Sequence, residues 1–551
     1  MTLSIPRILF TPHIQSYLDD HPRFDDVVIS EPQLFARLEE REGGMKTMPE
    51  FEINSLLIEK PRIDFIRKKE ADSTTLKWDA SGSNDAIVIT GLHNRKDNGL
   101  DLLIKKVSLD IFNFRFRDSK GKKFETGEGS VTAQLADVSI KEKQDGMDWQ
   151  ALVSRVNAAD IVLDSMGKNK SRLAISRVAL QDLGLSNTSI TNLESLTKAN
   201  SRFKISDFNG SITNDQSSLR WYGFSVSRTD KSFRMDSLTW IPALTADSFF
   251  AKSQLQKDHV QLRTGPISLS NADIESFMRD NTIVGSKLEI GGIDLVVSKD
   301  TRLPRDSGRL KPLPVNMLRQ LGIPIQVDEL NAVNGSVLYT EIAKDGKPVT
   351  IPITGITLEM RTLKNQDFDL NDSLHARISG MLLDSIRIQL ELKQSYADDL
   401  AGMHIDAKFM PSRMQVLNAA TVPLGKLYIK EGQLDSAILS VDANEFLAFG
   451  EMRMNYRDLK VQLLKDGEGL DNRNTKNFLS FLANTFVIRN NGKGKPAVIF
   501  LVRDRERSIF NYLVKIATRG FQTSIGVGKN KKLTRQYESE LKSRGLPPLR
   551  N

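Results

Sequence analysis

Apolar and polar residues alternate one by one along much of this chain. Phe112, Phe114 and Phe116 are interleaved with Asn113, Arg115 and Arg117. Ile386, Ile388, Leu390 and Leu392 are interleaved with Arg387, Gln389, Glu391 and Lys393, and Met403, Ile405, Ala407 and Phe409 with His404, Asp406 and Lys408. Successive side chains of a strand point to opposite faces, so each segment predicts a strand with one apolar and one wet face. That is the pattern of an antiparallel sheet solvated on one side. Turn signals separate the strands at Asp345-Gly346-Lys347-Pro348, Asn334-Gly335 and Glu431-Gly432.

One strand phrase recurs. VVISEPQLF (27–35) returns as LLIEKPRIDF (56–65), with Pro32 and Pro61 standing 29 residues apart (61 − 32). Looser echoes follow at 109–118 (LDIFNFRFRD), 288–300 (LEIGGIDLVVSKD) and 327–341 (VDELNAVNGSVLYTE). Such repetition signals a sheet grown by adding similar strands. Proline has no N–H to give to a ladder, so Pro32 and Pro61 are expected at strand entries or bends.

Helical patterns are few and short: 148–156, 187–199, a segment opened by Asn271 as N-cap, 313–321 with Pro314 at its start, 411–420, 474–484 and 507–522. The last carries Ile509, Phe510, Leu513, Ile516 and Ala517 at helical spacing, and a basic polar tail follows it from Lys529. Residues 70–85 and 302–314 read as linkers or loops. The expected fold class is mainly β with few short helices: an elongated, twisted antiparallel β-sheet or groove. Four segments are expected: an N-terminal β-repeat (1–205), a middle β-groove (206–330), a C-terminal β segment (331–505), and an amphipathic helix with its basic tail (506–551).

Charge changes this picture little. The formal net charge is +8 over 551 residues, and the cations are scattered except near the C-terminus, whereas a nucleic-acid binder concentrates them on one element. No nucleic-acid partner is expected. The absence of cysteine excludes disulfides, thiolate metal sites and a cysteine nucleophile. The apolar run 497–502 is far short of the ~20 residues of a membrane span. The opening MTLSIPRILFTPHIQSYLDDH has no basic stretch followed by an apolar one, so no signal peptide is expected there.

Candidate chemistry is equally sparse. The six histidines never form HxH or HExxH, and His375 and His404, in alternating strands, read as solvated face positions. Ile525-Gly526-Val527-Gly528-Lys529-Asn530 lacks phosphate-loop spacing and follows a helix rather than a strand. Asp367, Asp369 and Asp372 lack the glycine and terminal glutamate of a calcium loop. No carboxylate pair stands out for acid–base work. No catalytic residue, metal ligand or cofactor is expected.

What remains is an extensive apolar face. Helices or a second sheet could cover it, or it could line a groove for apolar ligands, since large exposed apolar faces mark binding sites. On the groove reading, Phe112, Phe114, Phe116, Ile386, Ile388, Leu390, Leu392, Ile405 and Phe409 are its lining.

Residues 288–525 carry a series of phrases in a characteristic order: IDLVVSKDTRLP (293–304), LPVNMLRQLGIPIQVDELNAVNGSVLYTE (313–341) and IPITGITLEMRTLKN (351–365). Then come 410–464, FLSFLANTFVIRNN (478–491) and RDRERSIFNYLVKIATRGFQTSIG (503–526). In order and spacing this part resembles the C-terminal part of AsmA-like proteins of Gram-negative bacteria, the long Bacteroidota ones especially. The resemblance implies a periplasmic β-groove held at the inner membrane by an N-terminal helix, of which residues 1–21 show no sign. It further implies phospholipid acyl chains as ligands, the inner and outer membranes as partners, and a role in moving phospholipids or in outer-membrane assembly. It carries no catalytic residues; within its Tyr456-Arg457-Asp458-Leu459, an ion pair involving Arg457 and Asp458 is expected. The alternative is a structural envelope protein that meets other envelope proteins through sheet edges, or an anionic membrane through its C-terminal helix.

Overall fold

The 29-residue repeat is built as a stack of equivalent strands. In the computed structural model, strand Arg23–Ser30 lies parallel to Phe51–Glu59, and each paired residue meets its counterpart one repeat on, Val27 facing Leu56 and Ile29 facing Ile58. Past the prolines, Gln33–Leu38 lies on Arg62–Lys69 in the same way. Side chains keep the offset: Ser30 Oγ donates to Glu59 Oε2 (3.2 Å) and Asn54 Nδ2 to Asp25 Oδ1 (3.0 Å). Each copy turns a corner at its proline. Glu31 and Lys60 take φ of 55° and 48°, a left-handed conformation uncommon outside glycine. The buried Pro32 and Pro61, each with its fixed φ, then start the next strand. The prolines therefore mark bends, as their lack of an N–H predicts.

The structure describes residues 2–13, 22–38, 49–69, 72–79, 85–95, 100–118, 126–143, 146–165, 170–187, 202–306, 308–343, 345–425, 427–463, 485–488, 496–526 and 529–549. The expected helices at 187–199 and 474–484 lie outside them, save Asn187. The fold is mainly β with short helices, in a large twisted sheet. The chain divides into two compact units, Met1–Ala243 with Ser270–Asn281, and Leu244–Leu269 with Thr282–Asn551.

Most strand pairs are antiparallel, but the sheet is mixed. The copies at 23–38 and 51–69 pair parallel, and so do Ile283–Gly291 and Ile293–Asp300 with successive halves of Ile325–Ile342. Asn334-Gly335 is consequently not a hairpin turn. It lies within Ile325–Ile342, where Asn334 (φ 56°) takes up the register step between the two parallel partners. Glu431-Gly432 is likewise a bulge inside Leu427–Ala443, whereas Asp345-Gly346-Lys347 does form a turn, closed by Ala343 N–H to Lys347 O at 2.9 Å.

Three local expectations yield to tertiary context. Residues 148–156 form no helix: they belong to strand Gly146–Ser165, where Trp149 pairs with Ile140 and Ala151 with Leu185. Flanking strands on both sides outweigh a weak helical preference. The segment 70–85 contains a strand, Asp72–Asp79, paired with Arg62–Lys69. The basic tail is a helix, Asn530–Arg544, because Leu533 and Tyr537, one turn apart, dock against Leu447 and Phe500. Tyr537 stacks on Phe449 with ring centroids 4.0 Å apart.

Other expectations stand with small shifts. Asp273, not Asn271, caps helix Ile274–Asp280, accepting from Ser276 N–H at 3.0 Å. Pro314 opens helix Pro314–Arg319, and 411–420 forms a 3-10 turn running into helix Asn418–Gly425. Helix Ile509–Ser524 is capped by Ser508. It lays Tyr512, Ile516 and Phe521 into a core shared with Ile405, Leu439, Val441, Met452 and Ile499. Burying each such side chain contributes about 1.5–3 kcal/mol. Gly520 allows the close approach: a Cβ there would sit 2.8 Å from Met452 Cε and 2.9 Å from Ile499 Cδ1.

Candidate functional site

Strand register in the first unit lines apolar residues up in rows that cross the sheet. One row runs from Ile8 through Ile29, Ile58, Ile87, Leu109, Ala133, Val156, Leu180, Ile205 and Val226 to Phe233, each paired with the next. With strands about 4.8 Å apart, these eleven positions span roughly 50 Å. A second row on the same strands joins Phe10, Val27, Leu56, Ile89, Val107, Leu135, Val153 and Leu183. The row between them, on the opposite face, begins apolar with Leu9, Val28, Leu57 and Val88. It then turns polar with Ser108, Gln134, Arg155, Gln181 and Lys204. From Leu109 onward the sheet therefore has one apolar and one wet face.

Strict alternation does not hold the apolar face together. In strand Ser171–Ser186 the large apolar residues are Leu173, Ile175, Val178, Leu180, Leu183 and Leu185, stepping by two and three in turn. Strand Gly146–Ser165 keeps the same rhythm with Val153, Val156, Ala158, Ile161 and Leu163. A three-residue step would send the next side chain to the wrong face unless one extra residue is absorbed. Left-handed residues sit in two of these steps, Asp160 between Ala158 and Ile161 and Asp182 between Leu180 and Leu183, and neighbouring strands carry Gly91, Asp137 and Asp207, all with φ between 49° and 62°. Aspartate and glycine tolerate that conformation best. Register shifts flank Asp137 and Asp207. The sequence signal was an apolar-x-Asp-apolar phrase, LADV (135–138), AADI (158–161), LQDL (180–183) and ISDF (205–208). A search for period two alone passes over it.

Most of these side chains are only half-buried: Ile29, Ile58, Ile87, Leu109, Val156, Leu180 and Ile205 all keep solvent access. Helix Ile274–Asp280, in the same unit, meets the row at its far end, where Phe277 packs edge-on to Phe233 with centroids 5.2 Å apart. Phe208 and Phe224 extend this aromatic floor. Trp221 lies across Gly210, where a Cβ would stand 2.6 Å from its ring.

The residues expected to line a groove have diverse fates. Phe112, Phe114 and Phe116 belong to strand Asp101–Asp118, but their side chains lie outside the described residues. In the second unit Ile386 and Ile405 are 1% exposed and Leu392 is 7% exposed. Leu392 and Ile405 belong to the core closed by helix Ile509–Ser524, against which Leu390 and Phe409 are partly buried. Ile388 is half-buried. The apolar face of this unit is thus largely closed at these positions. The same packing commits Tyr512, Ile516 and Phe521 of helix Ile509–Ser524 to the interior.

The wet faces carry ion pairs. Arg457 forks onto Asp435, with Nε and Nη2 at 2.9–3.1 Å, while its neighbour Asp458 occupies a left-handed position (φ 52°). The expected pairing therefore runs across strands to Asp435, with Asp458 serving the backbone. His404 Nδ1 lies 2.7 Å from Asp442 and Nε2 3.2 Å from Asp406. Burial pulls the His404 imidazole down, but the hydrogen bond to Asp442 and the charges of both aspartates outweigh it and hold its pKa above the usual 6.5. His375 is pushed the other way, by burial and by Lys393, Arg361 and Arg377. A raised folded-state pKa stabilises fully below the unfolded value and loses that stabilisation as pH rises through the folded one. Wild-type stability should therefore fall more steeply than that of His404→Gln as pH climbs from about 6.5. Urea midpoints at several pH values measure this, and parallel curves for the two proteins would contradict it.

No helix among the described residues is long and apolar enough to cross a membrane. Comparison of the chain with protein-family models, with curated proteins and with solved structures gives no match.

Proposed function

We propose that this chain is a non-enzymatic lipid-binding and lipid-transfer protein of a bacterial cell envelope. It would conduct phospholipid acyl chains between the inner and outer membranes or support outer-membrane assembly. The observation that supports this reading is the unbroken apolar row from Ile8 to Phe233, half-buried along most of its course. Each methylene removed from water contributes about 0.8 kcal/mol, so a chain of ~16 carbons in open water faces roughly 12 kcal/mol. A continuous apolar face offsets most of that cost at every point, with no specific residue required. The AsmA-like order of phrases from 288 to 525 agrees with this reading.

Mass spectrometry of the purified full chain should find co-purified phospholipid. Delipidated protein should take up a fluorescent phospholipid until one or more acyl chains are bound. Protein that carries no lipid and takes up none would overturn the proposal.

A further inference from the structure

A cleft of about 310 Å³ opens in the second unit, walled by residues 256–260, the loop after strand Ile293–Asp300, and the approach to helix Ile509–Ser524. Six cations line it, Lys257, Lys299, Arg305, Arg309, Lys311 and Arg507, against three carboxylates, Asp258, Asp306 and Glu506. Two of those carboxylates are already engaged. Asp258 sits between Lys299 (3.4 Å) and Lys311 (3.2 Å), and Glu506 accepts the Gly308 N–H at 2.9 Å. Burial pushes the Asp258 carboxyl up, but the two lysines outweigh it and keep it ionised below the usual range. Arg305 reaches Asp504 at 3.4 Å, outside the lining. Lys257, Arg309 and Arg507 have no carboxylate within 4.0 Å among the described residues.

The loop that carries Arg305, Arg309 and Lys311 is tied down at Lys311. Lys311 N–H donates to the Arg505 carbonyl (2.7 Å), and Arg503 Nη2 donates to the Lys311 carbonyl (2.5 Å). The backbone of the loop is thereby pinned at Lys311, which lowers the entropy cost of binding there. Surplus positive charge gathered in a concave site focuses the field on a small anion. Guanidinium forks and lysine ammoniums together suit the tetrahedral oxygens of a phosphate ester. The volume falls at the small end of ligand sites, enough for a phosphoglycerol group.

We propose that this cleft binds a phosphate-bearing anion, either a soluble phosphate ester or the headgroup of a phospholipid. It stands on the geometry of the second unit alone and does not depend on acyl chains lying on the first. The full chain is titrated calorimetrically with inorganic phosphate and with glycerol 3-phosphate, and tested for flotation with phosphatidylglycerol and phosphatidylcholine vesicles. Binding of the soluble ester assigns the site to free phosphates. Binding to phosphatidylglycerol vesicles without binding of the soluble esters assigns it to headgroups. In either case Lys257→Glu with Arg309→Glu should weaken that binding at least tenfold. Both side chains are exposed, so the melting temperature should hold within about 2 °C. The neutral pair Lys257→Ser with Arg309→Ser should act in the same direction. Absence of binding to every probe, or binding unchanged in both double variants, overturns the proposal. Loss of lipid from the first unit with intact glycerol 3-phosphate binding would count against the transfer reading and leave this site standing.

Discussion

Aspartates at Val156 and Leu180 should reduce acyl-chain uptake by more than 100-fold while the protein stays folded. The two residues are paired neighbours near the middle of the long apolar row, and both are half-buried. A charge at each drives the chain off the surface nearby. Losing contact with about four methylenes costs roughly 3 kcal/mol at ~0.8 kcal/mol each, and 1.4 kcal/mol is a factor of ten. Gln134→Asp provides the control. It lies on the polar row of the opposite face, between Ser108 and Arg155, and is exposed. Uptake of fluorescent phospholipid by the three proteins, with circular dichroism to verify folding, tests the claim. Equal loss in the control would mean that the face is not the binding surface. Normal uptake by the double variant would remove the row from the lipid path.

The second large effect concerns a buried ion pair. Arg503 is fully buried and bonds Glu445, the Lys311 carbonyl and, through its guanidinium plane 5.5 Å away, the Tyr512 ring. It ties the end of strand Ala497–Val502 to the cationic loop and to helix Ile509–Ser524. Glu445→Ala leaves the guanidinium buried without its counter-charge, which typically costs 3–5 kcal/mol. Adding Arg503→Met should recover part of that loss, because a buried pair is often replaceable by well-packed apolar groups. The readout must be local. Amide hydrogen exchange in Ala497–Val502 should accelerate at least a hundredfold. A loss below about 1 kcal/mol in Glu445→Ala would show that other contacts hold this corner.

Much of the architecture was legible in the chain. The alternation at Ile386–Leu392 and at Met403–Phe409 marks real strands with one buried side, and the Pro32–Pro61 spacing marks real corners. These features are local: a period of two and a proline's missing N–H act within one strand. The apolar face of the first unit was only partly legible. Its rhythm steps by two and three, with left-handed aspartates in some of the longer steps, and a strict period-two reading selects other segments.

The sequence by itself therefore determined that the chain is mainly β, where its strands bend, and that its strands carry a wet and an apolar side. Tertiary structure decided which apolar sides are closed. Ile405 and Leu392 have the same alternation as an open groove wall, yet Ile516 and Tyr512, from a helix over a hundred residues later, share their core. Leu109, Val156 and Leu180 show no stronger hydrophobic pattern and remain half-exposed. Tertiary structure also brought Lys257, Arg309 and Arg507 to one cleft from three distant segments. Cover and convergence are set by contacts between residues far apart in the chain, and a local pattern of polarity contains no record of them.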